Sequence, residues 1–333
     1  GGLGVANILV STMMGGVSAS NLADAAMLSR MMVPEMERKG YNRAFAAAIT
    51  AGGSLVTPII PPGIALIIYG LVADVSIGKM FIAGLVPGLL CAVVLMFTVY
   101  LVARKTNAKP SRESWPTGKE VVFSLGQAWP ALFLIFAVVG GIRANIFTPT
   151  EAGAVAVLIV LAIGFFIYRE MRISHVVKAL GETARATASV MLVIMASAAL
   201  GWIFSMEHAG VAVANFVTSL TENKYMFLLI INILLLTLGM FLEGNAILLI
   251  LVPLLKPVVE HFGIDPVHFG IIMIFNLSIG AFTPPVGTVM LLVCNITQVS
   301  VGNFFKQSLP LLAALLLMLM LVTYIPAISL FLV

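Results

Sequence analysis

Twice in this chain an apolar run is broken at its middle by a pair of prolines. The first, "SLVTPIIPPGIALIIYG" (54–70), and the second, "SIGAFTPPVGTVMLLVC" (278–294), share a Gly/Ser/Thr approach, a Pro pair and an apolar continuation. Proline has no backbone N–H and its ring clashes with the preceding helical turn, so each pair interrupts the hydrogen-bond ladder. The surroundings make this costly. Of the 333 residues, 61% are hydrophobic and 10% are charged, with a mean hydropathy of +1.11, whereas a soluble domain is about one-quarter charged. In a bilayer, non-helical backbone is tolerated only where it faces protein or a water-filled cavity. The chain therefore reads as an all-α polytopic membrane protein, with two broken helices whose breaks face inward.

The breaks belong to a longer correspondence. Pro62 precedes Pro87 by 25 residues and Pro285 precedes Pro310 by the same distance, while Asp24 lies ten residues before Pro34 and Glu243 ten before Pro253. Spans of about 20 apolar residues are expected at 81–103, 127–143, 151–168 and 308–331. The connections Arg104 to Lys119 and Arg169 to Arg185 are strongly basic, which places both in the cytoplasm by the positive-inside rule. The net charge of +4 is thus a matter of topology, with no sign of a nucleic-acid partner. From that anchor, segment 44–74 crosses with its break. Residues 187–222 form a re-entrant hairpin, 225–256 cross outward as one segment, and 269–296 cross inward.

This threading runs the Asp24 segment inward and the Glu243 segment outward, an inverted repeat. Three regions follow: a first half 1–103 broken around 57–63, connecting helices 104–168, and a second half 169–333 broken around 283–287. Inverted repeats with interrupted helices characterise secondary transporters, whose sites form where the breaks meet. Pro61, Pro62 and Gly63 in one half, and Pro284, Pro285 and Gly287 in the other, are expected to shape such a site. Freed carbonyls there suit a cation and helix N-termini suit an anion.

Asp24 and Glu243 at mid-depth are costly unless functional. Ser18, Ser20, Asn245, Asn276 and Thr283 add the neutral oxygens that a hard cation prefers. Cys91 and Cys294 read as small buried hydrophobes, the methionines as apolar filler, and the four histidines as loop or segment-end residues. An intramembrane enzyme using Ser18 or the two acids lacks a base at matching depth. A channel or ion-coupled antiporter that needs no binding protein is the competing transport reading.

The stretches "GGLGVANILVSTMMGGVSASNLADAAML", "VPEMERKGYNRAFAAAITAGGSLVTPIIPPGIALIIYG", "GLVPG", "LGMFLEGNAILLILVPLL", "GIDPVHFGIIMIFNLSIGAFTPPVGTVMLLV" and "SLPLL" together resemble the large membrane subunit of tripartite ATP-independent periplasmic (TRAP) transporters. The resemblance implies an elevator-type carrier in the bacterial inner membrane that takes up organic anions such as sialic acid, sugar acids or C4-dicarboxylates. It implies Na⁺ as coupling ion and no other cofactor. Its expected partners are a small membrane (Q) subunit, separate or fused, and a soluble periplasmic substrate-binding (P) subunit. The sodium sites it implies match Ser18, Asp24, Gly53 and Ser54 in one half and Gly239, Gly280, Thr283 and Val286 in the other, partly through backbone carbonyls. Two positions depart from the family pattern: Glu243 stands where Asp is frequent, and Gly63 where Ser often follows the Pro pair. The chain opens on Gly1-Gly2, and the family's large subunit is longer at its N-terminus, so a preceding hairpin and part of the scaffold are expected.

Overall fold

A computed structural model describes residues 2–105, 117–144, 146–207 and 209–333, and among them every regular element is helical. In chain order these are α1 (Gly2–Ser18), α2 (Asn21–Arg38), α3 (Arg43–Ser54), α4 (Ile64–Ala73), α5 (Ile77–Lys105), α6 (Gly118–Arg143), α7 (Pro149–Ala162, continued by a π turn over Ile163–Ile167), α8 (Ile173–Met206), α9 (Ala209–Leu220), α10 (Lys224–Phe241), α11 (Gly244–His261), α12 (Pro266–Phe282), α13 (Thr288–Thr297), α14 (Val301–Tyr324) and α15 (Ala327–Leu330). Six of the described helices are long and apolar enough to cross a membrane. The chain is a multi-pass α-helical membrane protein.

Local chemistry sets many of the starts. Asn42, Asn223 and Asp265 each accept hydrogen bonds from the first-turn N–H groups of α3, α10 and α12, and Thr148 with Glu151 forms a capping box at α7. The basic stretch Arg104 to Lys119 falls largely on 106–116, outside the described residues. The second basic stretch is helical from Ile173 onward, so α8 carries Lys178 and Arg185 and runs on into the first arm of the expected 187–222 hairpin; α9 is the second arm.

Two helical hairpins appear that the sequence did not disclose. Between α1 and α2, Ser11 donates to Asp24 Oδ2 near the turn, the Asn7 amide lies 3.6 Å from Met36 Sδ further down, and the Gly4 N–H reaches the Tyr41 hydroxyl (3.3 Å) at the base. Between α10 and α11, Phe227 at the start of one helix stacks on Phe262 just past the end of the other, ring centroids 4.7 Å apart. The expected single crossing at 225–256 is therefore corrected. Each of these 18-residue helices is about 27 Å long at 1.5 Å per residue, so end to end they would far exceed one bilayer, and the chain reverses at Leu242-Glu243.

The expected span 308–331 is corrected too. The helix starts earlier, at Val301, and ends at Tyr324, with Ile325-Pro326 separating it from the short α15. His268, expected at a segment end, is indeed in the first turn of α12, but it is buried, with Nδ1 2.7 Å from Ser329 Oγ and Nε2 3.3 Å from the Thr323 carbonyl. Cys91 and Cys294 are free and buried.

The two helices that lead into the breaks form the centre. Every residue of α12 from Val267 to Phe282 is buried, as is every residue of α3 after Arg43. A helix with no polar stripe must be covered all round. Small residues of α3, including Ala46, Ala47, Ala48, Ala51, Gly52 and Gly53, let neighbouring backbones approach closely. α3 packs against α1, α2, α13 and α14, and α12 against α10, α11, α4, α5 and α14.

Candidate functional site

After α3 the chain leaves helical geometry until Ile64, and after α12 until Thr288; both Pro61-Pro62 and Pro284-Pro285 are cis peptides. The resumed helices cross to the opposite half of the chain, α4 lying on α11 and α13 on α2. Where they cross lies a partly open cavity of about 120 Å³ with mixed polar and apolar walls. Ser20 and Asn21 border it from the start of α2, Ile64 and Ala65 from α4, Gly244 and Asn245 from α11, and Thr288 from α13, with Pro58, Glu243, Leu277 and Ser278 closing the walls. Four helix N-termini therefore meet at one space, and each carries the positive end of a helix dipole.

The four ends are not equivalent. Ser20 caps α2 by accepting from the Ala23 N–H (3.3 Å), and Glu243 caps α11 by accepting from the Ala246 N–H (3.0 Å). α4 and α13 begin after Gly63 and Gly287, which offer no side-chain cap. Both glycines are required. A Cβ on Gly63 would lie 2.4 Å from the Pro58 carbonyl oxygen, and Gly287 has φ +45 with the Thr283 carbonyl oxygen 2.7 Å from a would-be Cβ.

Beside the cavity lies a buried cluster on the first half. Asp24 is 1% exposed. Its Oδ2 accepts from the Ser11 and Thr57 hydroxyls, the latter at 3.2 Å, while Oδ1 has no hydrogen-bond partner. None of the ion pairs among the described residues involves it. Ser18 Oγ at the end of α1 is likewise buried and unpartnered, and Gly53 brings α3 against Ser11. A buried carboxylate with one free oxygen and no cationic partner is electrostatically incomplete. Asp24 Oδ1 and Ser18 Oγ are thus two buried oxygens without a hydrogen-bond partner. Ser54 is buried nearby, its hydroxyl turned back to the Ala51 carbonyl (2.8 Å).

In the second half, Gly239 and Gly280 pack backbone to backbone, so that a Cβ on Gly280 would fall 2.6 Å from the Gly239 carbonyl carbon. Thr283 returns its hydroxyl to the Ile279 carbonyl (2.7 Å), the Gly287 N–H reaches the Met240 carbonyl (2.8 Å), and Pro284, Pro285 and Val286 form the intervening break. The ends of α10 and α12 thus lie together with the second break.

Asn245 and Asn276 part company. Asn245 donates to Glu243 Oε1 (2.7 Å) and lines the cavity, whereas Asn276 donates to the Asn232 carbonyl and side-chain oxygens (2.9 and 2.7 Å) between α12 and α10. Sequence reasoning passed over Ser11, Asn21, Thr57, Ser278 and Thr288. Thr57 could have been found as the hydroxyl opening the first break. Ser11 could not, because its partner lies across an unforeseen hairpin.

The fold and the site define a multi-pass helical membrane protein with a cavity where four helix starts meet. Of the residues expected to shape it, Ser20, Glu243 and Asn245 line the cavity, whereas Pro61, Pro62, Gly63, Pro284, Pro285 and Gly287 are not among the lining residues. The family model described as "Tripartite ATP-independent periplasmic transporter, DctM component" matches residues 1–328, and the chain belongs to that family. It is 39% identical to the sialic acid TRAP transporter large permease protein of Vibrio cholerae, over 100% of this chain and 77% of the relative. It is equally 39% identical to the C4-dicarboxylate TRAP transporter large permease protein of Pseudomonas aeruginosa, over 99% and 77%. A third relative, the isethionate TRAP transporter permease protein DctMQ of Oleidesulfovibrio alaskensis, is 37% identical over 99% of this chain and 52% of its own length. The chain is accordingly an inner-membrane transporter permease, a class that is not enzymatic.

Proposed function

We propose that this protein is the carrier subunit of a TRAP system that takes up an organic anion with Na⁺, moving it by an elevator-type displacement of the hairpins and broken helices. The observation that carries this reading is the cavity bordered by helix starts from both halves of the chain. Helix N-termini favour anions, and the free oxygen of buried Asp24 beside them favours a cation, so each would bind better with the other present. Ser18 and Asp24 would hold one Na⁺ beside Gly53 and Ser54, and Gly239, Gly280, Thr283 and Val286 would border a second.

The order of elements supports the inverted repeat. A hairpin, a broken helix and a long helix follow one another as α1–α5 and again as α10–α14. Their cross-packing is reciprocal, α4 on α11 and α13 on α2. A charged side chain and its ion are moved across a membrane more cheaply inside a rigid protein body than through lipid. Ion binding that completes Asp24 would license such a movement.

Relatives named for sialic acid and for C4-dicarboxylate support an organic acid as the cargo. A small Q subunit and a periplasmic binding protein complete the system. The Q subunit is either separate or fused.

The test is uptake of radiolabelled sialic acid and succinate into proteoliposomes that hold the complete membrane subunits, with and without a Na⁺ gradient and the cognate binding protein. Accumulation of one anion that requires both is expected. Accumulation without Na⁺ would remove the coupling, and accumulation without the binding protein would point to a self-sufficient antiporter or channel.

A further inference from the structure

Away from the cavity, His268 is a buried titratable side chain that joins three elements. From the first turn of α12, its Nε2 lies 3.3 Å from the Thr323 carbonyl near the end of α14, and its Nδ1 lies 2.7 Å from Ser329 Oγ on α15. His268 and Ser329 are each 2% exposed.

Hydrogen positions follow from the partners. A carbonyl only accepts, so the Thr323 contact needs a proton on Nε2. In the neutral ring Nδ1 is then a bare acceptor, and it takes the hydrogen of the Ser329 hydroxyl. That hydroxyl has a second acceptor within reach, the Pro326 carbonyl at 3.1 Å. With a proton on Nδ1 as well, the ring would donate to Ser329 Oγ and the hydroxyl would turn to Pro326. The ring can therefore take a second proton without stranding a polar atom, but it has no counter-charge in contact.

Among the described residues no carboxylate bonds to the ring. Asp265, which caps α12 by accepting from the Val267 and His268 N–H groups (2.8 and 3.1 Å), and Lys224, which opens α10, reach it with opposite charges. Tyr69 of α4 and Tyr324 of α14 are neutral near pH 6 and donate to the Pro266 and Tyr225 carbonyls (2.7 and 3.3 Å). Lys79 on α5 and Lys256, Glu260 and His261 on α11 are exposed. Lys306 lies towards the far end of α14, and α13 and α15 carry no charged residue. A buried imidazolium without a contacting anion is costly, and water can reach the ring if the short α15 lifts away.

We propose that His268 is a proton-binding site that controls the docking of α15: the neutral ring holds α15 against the start of α12, and protonation at mildly acid pH releases it. α12 runs from this contact into the second break, so the protonation state of one ring sets how firmly the entry of that helix is held. The released form binds one proton more than the docked form, so docking weakens as pH falls. With the ordinary histidine value of about 6.5 in the released form, the opening equilibrium rises about tenfold from about pH 7.5 to about pH 5.5.

The experiment follows amide hydrogen exchange of residues 325–331 by mass spectrometry in the purified membrane subunits, from about pH 8 to about pH 5, corrected for the intrinsic pH dependence of exchange. Protection in the natural protein should begin to fall near pH 6.5 and drop about tenfold by pH 5.5. His268→Gln and His268→Asn place a neutral amide near Nε2 and Nδ1 respectively, and protection in either variant should not vary over this range. A melting curve shows which variant is folded, and one folded variant suffices. Constant protection in the natural protein would overturn the inference, as would a loss that sets in only below about pH 5, where carboxylates titrate. The natural pH dependence persisting in a folded variant would overturn it too.

Discussion

Thr57, in the first helix break, donates a hydrogen bond of 3.2 Å to Oδ2 of Asp24 on α2, tying the interrupted helix to the hairpin that leads into the cavity. Ser11 approaches the same oxygen from α1, so three chain segments converge on one atom. Asp24→Ala is expected to abolish Na⁺-driven uptake while leaving membrane insertion intact, because the hydroxyls of Ser11 and Thr57 can turn to backbone acceptors. Thr57→Val removes one hydrogen bond to a charged group. It should raise the Na⁺ concentration for half-maximal uptake by about tenfold, the equivalent of about 1.4 kcal/mol. Uptake assayed across a Na⁺ series in proteoliposomes, with surface labelling to confirm insertion, decides both.

Asn276 has a structural role that can be separated from any role in ion binding. Its amide nitrogen donates to Asn232, whose own amide continues to the Thr323 hydroxyl at 3.0 Å, linking α12, α10 and α14, while Asn276 Oδ1 is buried without a partner. Asn276→Ala should therefore lower thermal stability by about 1 kcal/mol, the scale of interhelical hydrogen bonds in membranes. The Na⁺ concentration for half-maximal uptake should stay unchanged. A rise in that concentration without loss of stability would return Asn276 to the ion site.

The Pro pairs were legible because proline has a local effect on the helix ladder that no tertiary context hides, and buried Asp24 because an acid in an apolar stretch stands out from its neighbours, whereas Glu243 is exposed at a hairpin turn. What the sequence concealed was reversal of direction. Between Phe241 and Gly244 the chain turns back through Leu242 and Glu243 without a proline or a run of polar residues, so an apolar segment of two helices reads as one crossing. The same blindness applies at Ala19, whose φ of +52 turns α1 into α2 without the glycine that usually marks such geometry. Once those turns are missed, contacts such as Ser11 with Asp24 cannot be inferred, since they depend on which helices are antiparallel. The long helix α8 was also obscured, because basic residues over 169–185 look like a connection whether the backbone is coiled or helical.

Gly63 shows the reverse case, in which a departure from the family pattern has a steric consequence. A serine there would carry its Cβ to within 2.4 Å of the Pro58 carbonyl oxygen, a backbone atom that cannot swing aside as a side chain would. Gly63→Ser should therefore reduce uptake and thermal stability together, instead of adding a useful hydroxyl to the cavity. A variant that melts at the natural temperature and carries substrate at least as fast would show that the first break can relax around a side chain.

The packing of α10 on α12 offers an internally controlled test. At Gly280 an added methyl would lie 2.6 Å from the Gly239 carbonyl carbon and 2.7 Å from its Cα, whereas at Gly239 the closest atom to an added methyl is the Gly280 Cα at 3.2 Å. Gly280→Ala must push two backbones apart, with an overpacking cost of about 1–3 kcal/mol, while Gly239→Ala needs a shift of only a few tenths of an ångström. The Gly280 variant should accordingly melt at the lower temperature of the two. If the ends of these helices border an ion, it should also show the larger loss of Na⁺-dependent stabilisation. Melting curves of both variants with Na⁺ and with choline separate the two effects. Equal melting temperatures would refute the close approach of the two glycines, and a Na⁺ response preserved in a destabilised Gly280→Ala would confine this contact to packing.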